Sequence, residues 1–278
     1  MTPRDLIRNT ANRFLSAGIP DPENDAALLL SYLTGRPALE LRLDSDSETD
    51  SALLSSFQGL AEKRMNRIPL QYLIGEAPFY RRYYIVDSRV LIPRPETELL
   101  CEWALDILKD FRYPRVLDLC CGSGCIGLTI KAERPDAVVT RSDISSDALN
   151  VSAANACRLS LDVSICQSDL FSAFNGSFFD MIISNPPYIP SDDCSRLQPE
   201  VMNEPRLALD GGPDGCVLYR RIISSAGSVL SSGGKLLMEL GINETVPISL
   251  LLSEYGFTGI EVRKDYAGID RMILAVLP

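Results

Sequence analysis

The fold is decided by residues 116–127, which read VLDLCCGSGCIG. A buried-type apolar run leads into a glycine turn, and an apolar stretch with helical character follows. Gly122, Gly124 and Gly127 have the spacing GxGxxG, and Asp143 lies 19 residues beyond Gly124. Glycines allow a tight turn and the close approach of a ligand, and a carboxylate at this spacing can accept hydrogen bonds from a ribose diol. The segment therefore predicts a strand, loop and helix that bind a nucleoside-containing cofactor.

Short β-branched runs alternate with helical stretches in the rest of the chain, which is typical of βαβ units and a mainly parallel sheet. Strands are predicted at Arg115–Leu119, Ala137–Ser142, Val163–Gln167, Phe179–Ser184, Lys235–Leu240, Thr258–Val262 and Met272–Leu277. Helices are predicted at Cys125–Arg134 and at Asp147–Leu159, the second capped by Ser145 or Ser146. The last two strands are joined by a short polar loop, so they must pair antiparallel. The fold class is α/β.

The N-terminal part of the chain has a different pattern. Apolar residues recur at helical spacing over the first 73 residues, and breaks rich in glycine, proline or acidic residues separate the helices. We therefore divide the chain into an all-helical domain at 1–75, a β-hairpin linker at 76–95 and the α/β domain at 96–278.

Composition excludes several functional classes. The 278 residues include 27 Lys and Arg against 37 Asp and Glu, a net charge of -10 that opposes binding to nucleic-acid phosphates. No apolar run is long enough to cross a membrane, and the polar start is unlike a signal peptide. We expect a cytoplasmic protein that binds neither membranes nor nucleic acid directly.

Histidine is absent. This excludes Ser-His-Asp and Cys-His nucleophiles, histidine general bases and zinc sites with imidazole ligands, and we predict no metal site. The eight cysteines form no CxxC pair, which indicates reduced thiols rather than a disulfide framework.

The glycine motif alone also fits an NAD-dependent oxidoreductase. Asp118 stands immediately before the turn, where its carboxylate would suit a cationic or amine-bearing group and oppose a pyrophosphate. That favours S-adenosyl-L-methionine, whose sulfonium and amino groups are positive and which has no phosphate. The alternative is that Asp118 accepts hydrogen bonds from the amides of the loop itself.

The second motif is Asn185-Pro186-Pro187-Tyr188, directly after a predicted strand. Open α/β sheets bind ligands at this edge, and two prolines hold the preceding Asn185 in a fixed conformation. If the Asn185 side-chain oxygen and the Pro186 carbonyl each accept one N–H of a planar amine or amide, its nitrogen is oriented toward a methyl donor. Tyr188 would then pack on the planar group, or else pack in the core behind a motif that only ends the strand.

These motifs together resemble the protein-(glutamine-N5) methyltransferases that modify peptide-chain release factors in translation termination. The resemblance covers nearly the whole chain, through RIPLQY at 67–72, LIPRPETE at 91–98, the glycine loop, the Asn-Pro-Pro-Tyr motif and EPRLALDGG at 204–212. It implies the seven-strand S-adenosylmethionine-dependent methyltransferase fold, a mostly parallel sheet with one antiparallel strand, plus a small all-helical N-terminal domain.

The resemblance also implies functional residues. With Asp118 added from the argument above, the predicted cofactor contacts are Asp118, Cys120, Cys121, Gly122, Ser123, Gly124, Asp143, Asp169, Leu170 and Asn185. The predicted catalytic residues are Asn185, Pro186 and Tyr188, which with Pro187 hold the target glutamine. The helical domain of a monomeric enzyme would grip the release factor away from its Gly-Gly-Gln tip, and the product would be S-adenosyl-L-homocysteine.

The chain departs from the family pattern at two positions. Cys120 stands where glycine is usual, and because a left-handed backbone would strain cysteine, we expect the position to require only a small side chain. Leu170 stands where some relatives have an aromatic residue. Arg94 and Glu96 are helpers in the glutamine pocket or, equally, residues of a helix N-terminus.

Three alternative functions stay open on sequence alone. The four-residue motif also looks like that of adenine-N6 methyltransferases acting on nucleic acid, the glycine loop fits a nicotinamide-dependent oxidoreductase, and a non-catalytic cofactor-binding module would carry the same loop.

Overall fold

The N-terminal helices form where the apolar spacing predicts them. The computed structural model describes all residues, 1–278. Five helices come first: α1 (Pro3–Ser16), α2 (Pro22–Thr34), α3 (Ala38–Leu43), α4 (Ser51–Met65) and α5 (Leu70–Ile74). Thr2 caps α1, because its hydroxyl accepts a hydrogen bond from the Asp5 N–H. The apolar faces of these helices form one core, in which Phe14, Leu30 and Phe57 are fully buried.

The chain divides into two compact units. One comprises Met1–Glu76 and Gln198–Asn203, and the other comprises Ala77–Leu197 and Glu204–Pro278. The hairpin that we assign to a linker belongs almost entirely to the second unit, and a short segment from the C-terminal half of the sequence belongs to the first.

Ion pairs hold that short segment within the helical unit. Glu200 accepts hydrogen bonds from Arg67 at 2.6 Å and from Arg64 at 2.9 Å, and Arg64 also donates to Asp25 at 2.8 Å. The Arg64 side chain is almost fully buried, so the two carboxylates compensate its charge where water cannot. No local pattern predicts this arrangement, because Glu200 lies far from both arginines in the sequence.

A β-hairpin opens the second unit. It consists of β1 (Glu76–Phe79) and β2 (Arg82–Ile85), joined by Tyr80 and Arg81, both of which have positive φ. Two successive residues of this kind are typical of a tight hairpin turn. Asn155 fixes the hairpin to the unit, since its side chain accepts from the Ile85 N–H at 2.6 Å and donates to the Ile85 carbonyl at 3.0 Å.

The remaining elements of the second unit follow in chain order. They are α6 (Pro95–Leu108), β3 (Arg115–Leu119), α7 (Cys125–Glu133), β4 (Val138–Asp143), α8 (Ser146–Arg158), β5 (Ser164–Gln167), β6 (Phe179–Ser184), β7 (Ile189–Pro190), β8 (Asp210–Gly212), α9 (Val217–Ala226), β9 (Leu230–Glu239), α10 (Thr245–Glu254), β10 (Thr258–Lys264) and β11 (Asp270–Val276). Three short 3-10 helices lie at Asp193–Arg196, Val201–Asn203 and Arg206–Ala208. No helix is both long and apolar enough to cross a membrane.

Seven strands form one sheet in the order β10-β11-β9-β6-β3-β4-β5. All neighbours pair in parallel except β11, which is antiparallel to both β9 and β10. The predicted α/β fold class and the single antiparallel strand are confirmed. The strand β9 begins earlier than predicted, at Leu230, and residues 231–234 form an irregularity within it: they have no partner in β6, and Gly233 has positive φ (77°).

Both faces of the sheet are covered. Ile182 points into a core with α9 and α10, whereas its neighbours Met181 and Ile183 point into a second core with α6 and α7. Successive residues of a strand alternate between faces, so β6 contributes to both cores and is apolar throughout its centre. The carboxyl ends of β3, β4 and β6 consequently meet at one edge, and both sequence motifs follow strands that end there.

Candidate active site

The loop after β3 carries three residues with left-handed backbone: Cys120 (φ 59°), Gly122 (φ 52°) and Gly124 (φ 79°). The expectation that position 120 requires only a small side chain is therefore wrong, because the backbone there has positive φ as well. A left-handed conformation costs a residue other than glycine about 1–2 kcal/mol. At Gly124 a side chain is also excluded sterically, since a Cβ atom would come within 2.2 Å of the Ser152 hydroxyl.

Asp118 supports the loop from behind. Its Oδ2 accepts a hydrogen bond from the Gly127 N–H at 2.8 Å, and its side chain has no exposed surface. Burial raises the pKa of this carboxyl to about 7. We expected the Asp118 carboxylate to contact the cofactor directly. In the structure it instead binds an N–H in the first turn of α7. The second reading of Asp118, a partner for the local backbone, is the one that the structure shows.

Asp143 lies at the end of β4, beside the loop. Its Oδ2 accepts from the Gly122 N–H at 2.9 Å and its Oδ1 accepts from the Ser145 N–H at 2.9 Å. Burial raises the pKa of this carboxyl, and these two amide bonds oppose that shift. Each carboxylate oxygen keeps a further lone pair, so Asp143 can accept two hydroxyl hydrogen bonds in addition. Ser145, one of the two predicted caps, caps α8 by accepting from the Ala148 N–H at 3.2 Å.

A cavity of about 230 Å³ opens between these residues, within the second unit. The predicted site residues that line it are Cys120, Cys121, Gly122, Ser123, Asp143, Asp169, Leu170, Asn185 and Pro187. The predicted residues outside its lining are Asp118, Gly124, Pro186 and Tyr188. Most of the lining surface is apolar, which suits a planar base or an aliphatic chain better than a phosphate.

One wall of the cavity is formed by the turn after β5. Arg221 on α9 donates to both carboxylate oxygens of Asp169, each at 2.8 Å. Leu170 has positive φ (49°) and its backbone carbonyl accepts from the Ser168 hydroxyl at 2.8 Å. The turn is thus fixed by hydrogen bonds on both sides, and its leucine presents an aliphatic side chain to the cavity.

The Asn-Pro-Pro-Tyr segment turns away from the end of β6 beside the cavity. The Asn185 side chain donates to the Thr97 hydroxyl at 3.4 Å, and no hydrogen bond within the protein ends on its Oδ1 or on the Pro186 carbonyl oxygen. Two acceptors of this segment therefore have no partner in the protein, although Pro186 itself lies outside the cavity lining. These are the two oxygens that the proposed grip on a planar NH₂ group requires.

Tyr188 turns into the protein. Its hydroxyl donates to Glu239 Oε1 at 3.2 Å, and its ring packs against the core formed with α9 and α10. Burial raises the pKa of this phenol. The sequence predicts that the Tyr188 ring packs on the substrate. In the structure the ring packs against the core instead, and Tyr188 is not part of the cavity lining.

Backbone pairing fixes the segment that follows. The strands β7 and β8 run parallel, and the Ile189 N–H donates to the Leu209 carbonyl at 2.9 Å. A Cβ atom on Gly211 would come within 2.9 Å of the Pro187 carbonyl oxygen, so the chain can approach this closely only at a glycine. The segment Asp210-Gly211-Gly212 is therefore part of what positions the motif.

Arg94 both opens α6 and lines the cavity. Its guanidinium forms a hydrogen-bonded ion pair with Glu204, whose other oxygen accepts from the Ile92 N–H at 2.9 Å. Glu204 thereby joins the segments 91–98 and 204–212, both of which carry the family resemblance. Glu96 lies in the first turn of α6 and is not part of the lining, which agrees with the helix N-terminus interpretation for that residue.

Two residues of the site are not among the predicted site residues, although Thr97 lies in the segment LIPRPETE at 91–98. Thr97 is almost fully buried and donates to Glu239 Oε2 at 2.7 Å, and Glu239 is buried at the end of β9. Burial raises the pKa of Glu239 to about 7. The sequence marks Thr97 only as part of the LIPRPETE segment and Glu239 only as a charged residue that ends an apolar strand, and neither feature identifies the partner.

Known proteins resemble this sequence along nearly the whole chain. The family model "PrmC N-terminal domain" matches residues 5–75, and the model "Methyltransferase small domain" matches residues 97–216. A protein of Deinococcus radiodurans named release factor glutamine methyltransferase is 37% identical over 98% of this chain and 97% of its own length. A protein of Clostridium acetobutylicum with the same name is 38% identical over 91% of this chain and 90% of its own length.

Solved structures share the fold. The Thermus thermophilus 16S rRNA N2 G1207 methyltransferase in complex with AdoMet and guanosine is 20% identical, has a TM-score of 0.53, and covers 73% of this chain and 50% of its own length. At this level of identity the similarity concerns the fold alone.

Proposed function

Because this chain belongs to the family of release factor glutamine methyltransferases, we propose that it methylates the glutamine side chain of a peptide-chain release factor. More specifically, the methyl group of S-adenosyl-L-methionine would go to the amide nitrogen, N5, of the glutamine in the Gly-Gly-Gln motif. The observation that carries this proposal is the pair of unpartnered oxygens, Asn185 Oδ1 and the Pro186 carbonyl, beside the cavity.

The residues around the glycine loop fit the cofactor. Asp143 has lone pairs for two ribose hydroxyls, and the loop backbone at Gly122 lies open to the cavity, with no atom within 4 Å of where a Cβ would be. Asp169 and Leu170 would contact the adenine. When bound, S-adenosylmethionine supplies a methyl group attached to a positively charged sulfur.

The structure gives a reason against a dinucleotide. In dinucleotide-binding folds the pyrophosphate accepts hydrogen bonds from amides at the start of the helix after the glycine loop. Here the carboxylate of Asp118 already occupies the N–H of Gly127 in the first turn of α7. A carboxylate at that place also offsets the positive end of the helix dipole, so a phosphate would be bound poorly. Asp118 thus selects against phosphate without contacting the cofactor.

The Asn-Pro-Pro-Tyr segment would hold the target. A glutamine amide has two N–H donors, and Asn185 Oδ1 and the Pro186 carbonyl are two acceptors on adjacent residues. When both donors are bound, the nitrogen is held in one orientation, and positive charge that develops on it during methyl transfer is stabilised by both oxygens. Tyr188 contributes from behind, by fixing the segment through Glu239.

The helical unit has a separate role in this proposal. Residues 5–75 match the N-terminal domain model of the family, and we assign recognition of the release factor to this unit. The enzyme would act as a cytoplasmic monomer, and S-adenosyl-L-homocysteine would be released after each turnover.

Mass spectrometry of a purified release factor after incubation with the protein and S-adenosylmethionine tests the function. We expect one added methyl group on the Gly-Gly-Gln peptide, and a loss of about 10²–10³ in kcat for Asn185→Ala, as for removal of one preorganised hydrogen-bonding group. A folded Asn185→Ala protein with normal turnover would contradict the assigned site. Methyl transfer to DNA or RNA but not to the release factor would contradict the assigned substrate.

A further inference from the structure

A chain of hydrogen bonds runs from Asn185 into the protein through Thr97, which also lines the cavity. The Asn185 Nδ2 donates to Thr97 Oγ1 at 3.4 Å, and Thr97 Oγ1 donates to Glu239 Oε2 at 2.7 Å. The other oxygen of Glu239 accepts from the Tyr188 hydroxyl at 3.2 Å. Thr97 is 2% exposed and Glu239 is 1% exposed, so water does not compete for these bonds.

The direction of each bond in this chain is determined by the donors available. An ionised carboxylate can only accept, so both the Thr97 and the Tyr188 hydroxyl groups give their single hydrogen to Glu239. Thr97 then has only lone pairs to offer to Asn185. The NH₂ end of the Asn185 amide can bond to those lone pairs, whereas Oδ1 in the same place would meet them with its own and be repelled.

The orientation of the Asn185 amide matters for the reaction. The two ends of an asparagine amide have nearly the same shape but opposite hydrogen-bonding character. With Nδ2 directed at Thr97, Oδ1 is the end left to accept from a substrate N–H. With the amide reversed, Asn185 would present donors to a substrate group that itself has only donors.

We propose that Thr97 is a positioning residue, which with Glu239 fixes the Asn185 amide so that its oxygen is available to the target nitrogen. This inference deepens the proposed function and rests on it only for the identity of the substrate. The orientation itself is a property of the protein alone. The family resemblance described above assigns no role to Thr97 or Glu239.

The protonation of Glu239 should control the orientation. The titratable and charged groups that face its side chain are Arg271, Glu96, Tyr188, Tyr219, Cys101 and Cys125. Burial, the largest cause, raises the Glu239 pKa to about 7. Below that pH the carboxyl carries a proton and can donate to Thr97, whose hydrogen is then free to bond to the Asn185 oxygen. We therefore expect kcat to rise as the pH increases through about 7.

Three variants test the proposal. Thr97→Val removes the hydroxyl with little change of shape, Thr97→Ser restores it, and Thr129→Val makes the same change at a buried threonine that bonds to Tyr84, outside the cavity. We expect about a 10-fold lower kcat for Thr97→Val, the effect of losing one hydrogen bond, with Thr97→Ser within about threefold of wild type. Thr129→Val should lose stability and keep its kcat.

Two readouts separate positioning from a merely structural role. Thr97→Val should lose the rise of kcat near pH 7, whereas Thr129→Val should keep it. In ¹⁵N NMR spectra of the protein with and without cofactor, hydrogen exchange of the Asn185 side-chain NH₂ group should be faster in Thr97→Val than in wild type and Thr129→Val. Equal exchange in all three proteins, or a Thr97→Ser variant as slow in turnover as Thr97→Val, would overturn the proposal.

The exchange measurement needs no methyl acceptor. If the wild-type protein fails to methylate a release factor but its Asn185 NH₂ group is protected through Thr97, the proposed substrate is wrong and the positioning role stands. If methylation occurs but the Asn185 NH₂ group is not protected, the proposed substrate stands and the positioning role of Thr97 is wrong.

Discussion

Tyr188 leaves no room for a side chain on Gly211: a Cβ atom there would come within 2.7 Å of the Tyr188 Cα atom. The same atom would lie 2.4 Å from the Gly215 carbonyl oxygen, so it could not move away freely. The backbone of the Asn-Pro-Pro-Tyr segment is thus positioned by a contact that only glycine permits, from a segment more than 20 residues further along the chain.

Gly211→Ala should therefore displace the Asn-Pro-Pro-Tyr segment. We expect about a 10- to 100-fold loss of kcat, since a displacement of about 1 Å can cost that much, and a stability loss of about 1–3 kcal/mol from overpacking. Denaturant unfolding and steady-state turnover below the unfolding transition measure the two effects.

Gly59→Ala is the control: Gly59 lies on the exposed side of α4 with open space around it, and the change should stabilise the protein by about 0.5–1 kcal/mol. Unchanged turnover of Gly211→Ala would show that this contact does not position the site.

Asp143→Asn should weaken cofactor binding. An asparagine keeps one acceptor oxygen but replaces the other with a donor, which would oppose the Ser145 or Gly122 N–H and could not accept from a ribose hydroxyl. Loss of a hydrogen bond to a charged group corresponds to about a 10- to 100-fold rise in Kd, measurable by calorimetry. Asp136→Asn, with the same charge change at a residue paired with Arg134 outside the cavity, should leave Kd unchanged. Equal Kd values for both variants would remove Asp143 from the cofactor site.

Position 120 should tolerate small residues and reject β-branched ones. The backbone of Cys120 is left-handed, and a branched Cβ is the least compatible with that conformation. We expect Cys120→Val to be about 1–2 kcal/mol less stable than Cys120→Ala in urea unfolding without cofactor. The comparison with alanine removes the effect of losing the sulfur. If the two variants unfold at the same urea concentration, the positive φ carries no measurable cost.

Stability should depend on pH through the buried carboxyl groups. Burial raises the Glu244 pKa from 4.5 to about 7, so the folded state binds its proton more tightly than the unfolded state does. The resulting stabilisation is complete below about pH 4.5 and is lost as the pH rises through about 7. Burial also raises the pKa values of Asp118 and Glu239 to about 7, so their contributions to stability are likewise lost as the pH rises through about 7.

Glu244→Gln should therefore have a shallower decline of stability between pH 5 and pH 8 than the wild-type protein. Urea unfolding at several pH values measures it. Glu254→Gln, on the exposed end of α10, is the matched control and should follow the wild-type curve. A Glu244→Gln curve parallel to wild type would mean that Glu244 titrates normally in the folded protein.

The sheet could be predicted from sequence because its strands are short apolar runs separated by clear helices and turns. β6 is an example: it is apolar on both faces, and two prolines end it. β9 is harder to delimit, because residues 231–234 have turn-forming composition and bulge between Leu230 and Lys235, the two residues that pair with β6. Local composition predicts the presence of strands better than their ends.

The site could be predicted in part, where a motif is continuous in sequence. Asn185 and Asp143 line the cavity, and each stands in a recognisable local pattern. Thr97 lies in the segment 91–98 that carries the family resemblance, but its hydrogen bond to Asn185 could not be predicted, since the two residues are 88 positions apart. The sequence indicates that Asp118 stands next to the glycine loop. It does not indicate that the carboxylate binds the Gly127 N–H, because that contact depends on how the first turn of α7 folds.

The strand order also bears on how the protein is assembled. β11 lies between β9 and β10, so β10, although synthesised earlier, has no neighbour in the sheet until β11 has been added. Domains fold as units during synthesis, and this one cannot complete its sheet while residues 270–276 are still within the ribosome. A cleavage in the 265–270 loop that freed β11 would therefore remove two strands, not one, and would uncover the apolar edge of β9 to other chains.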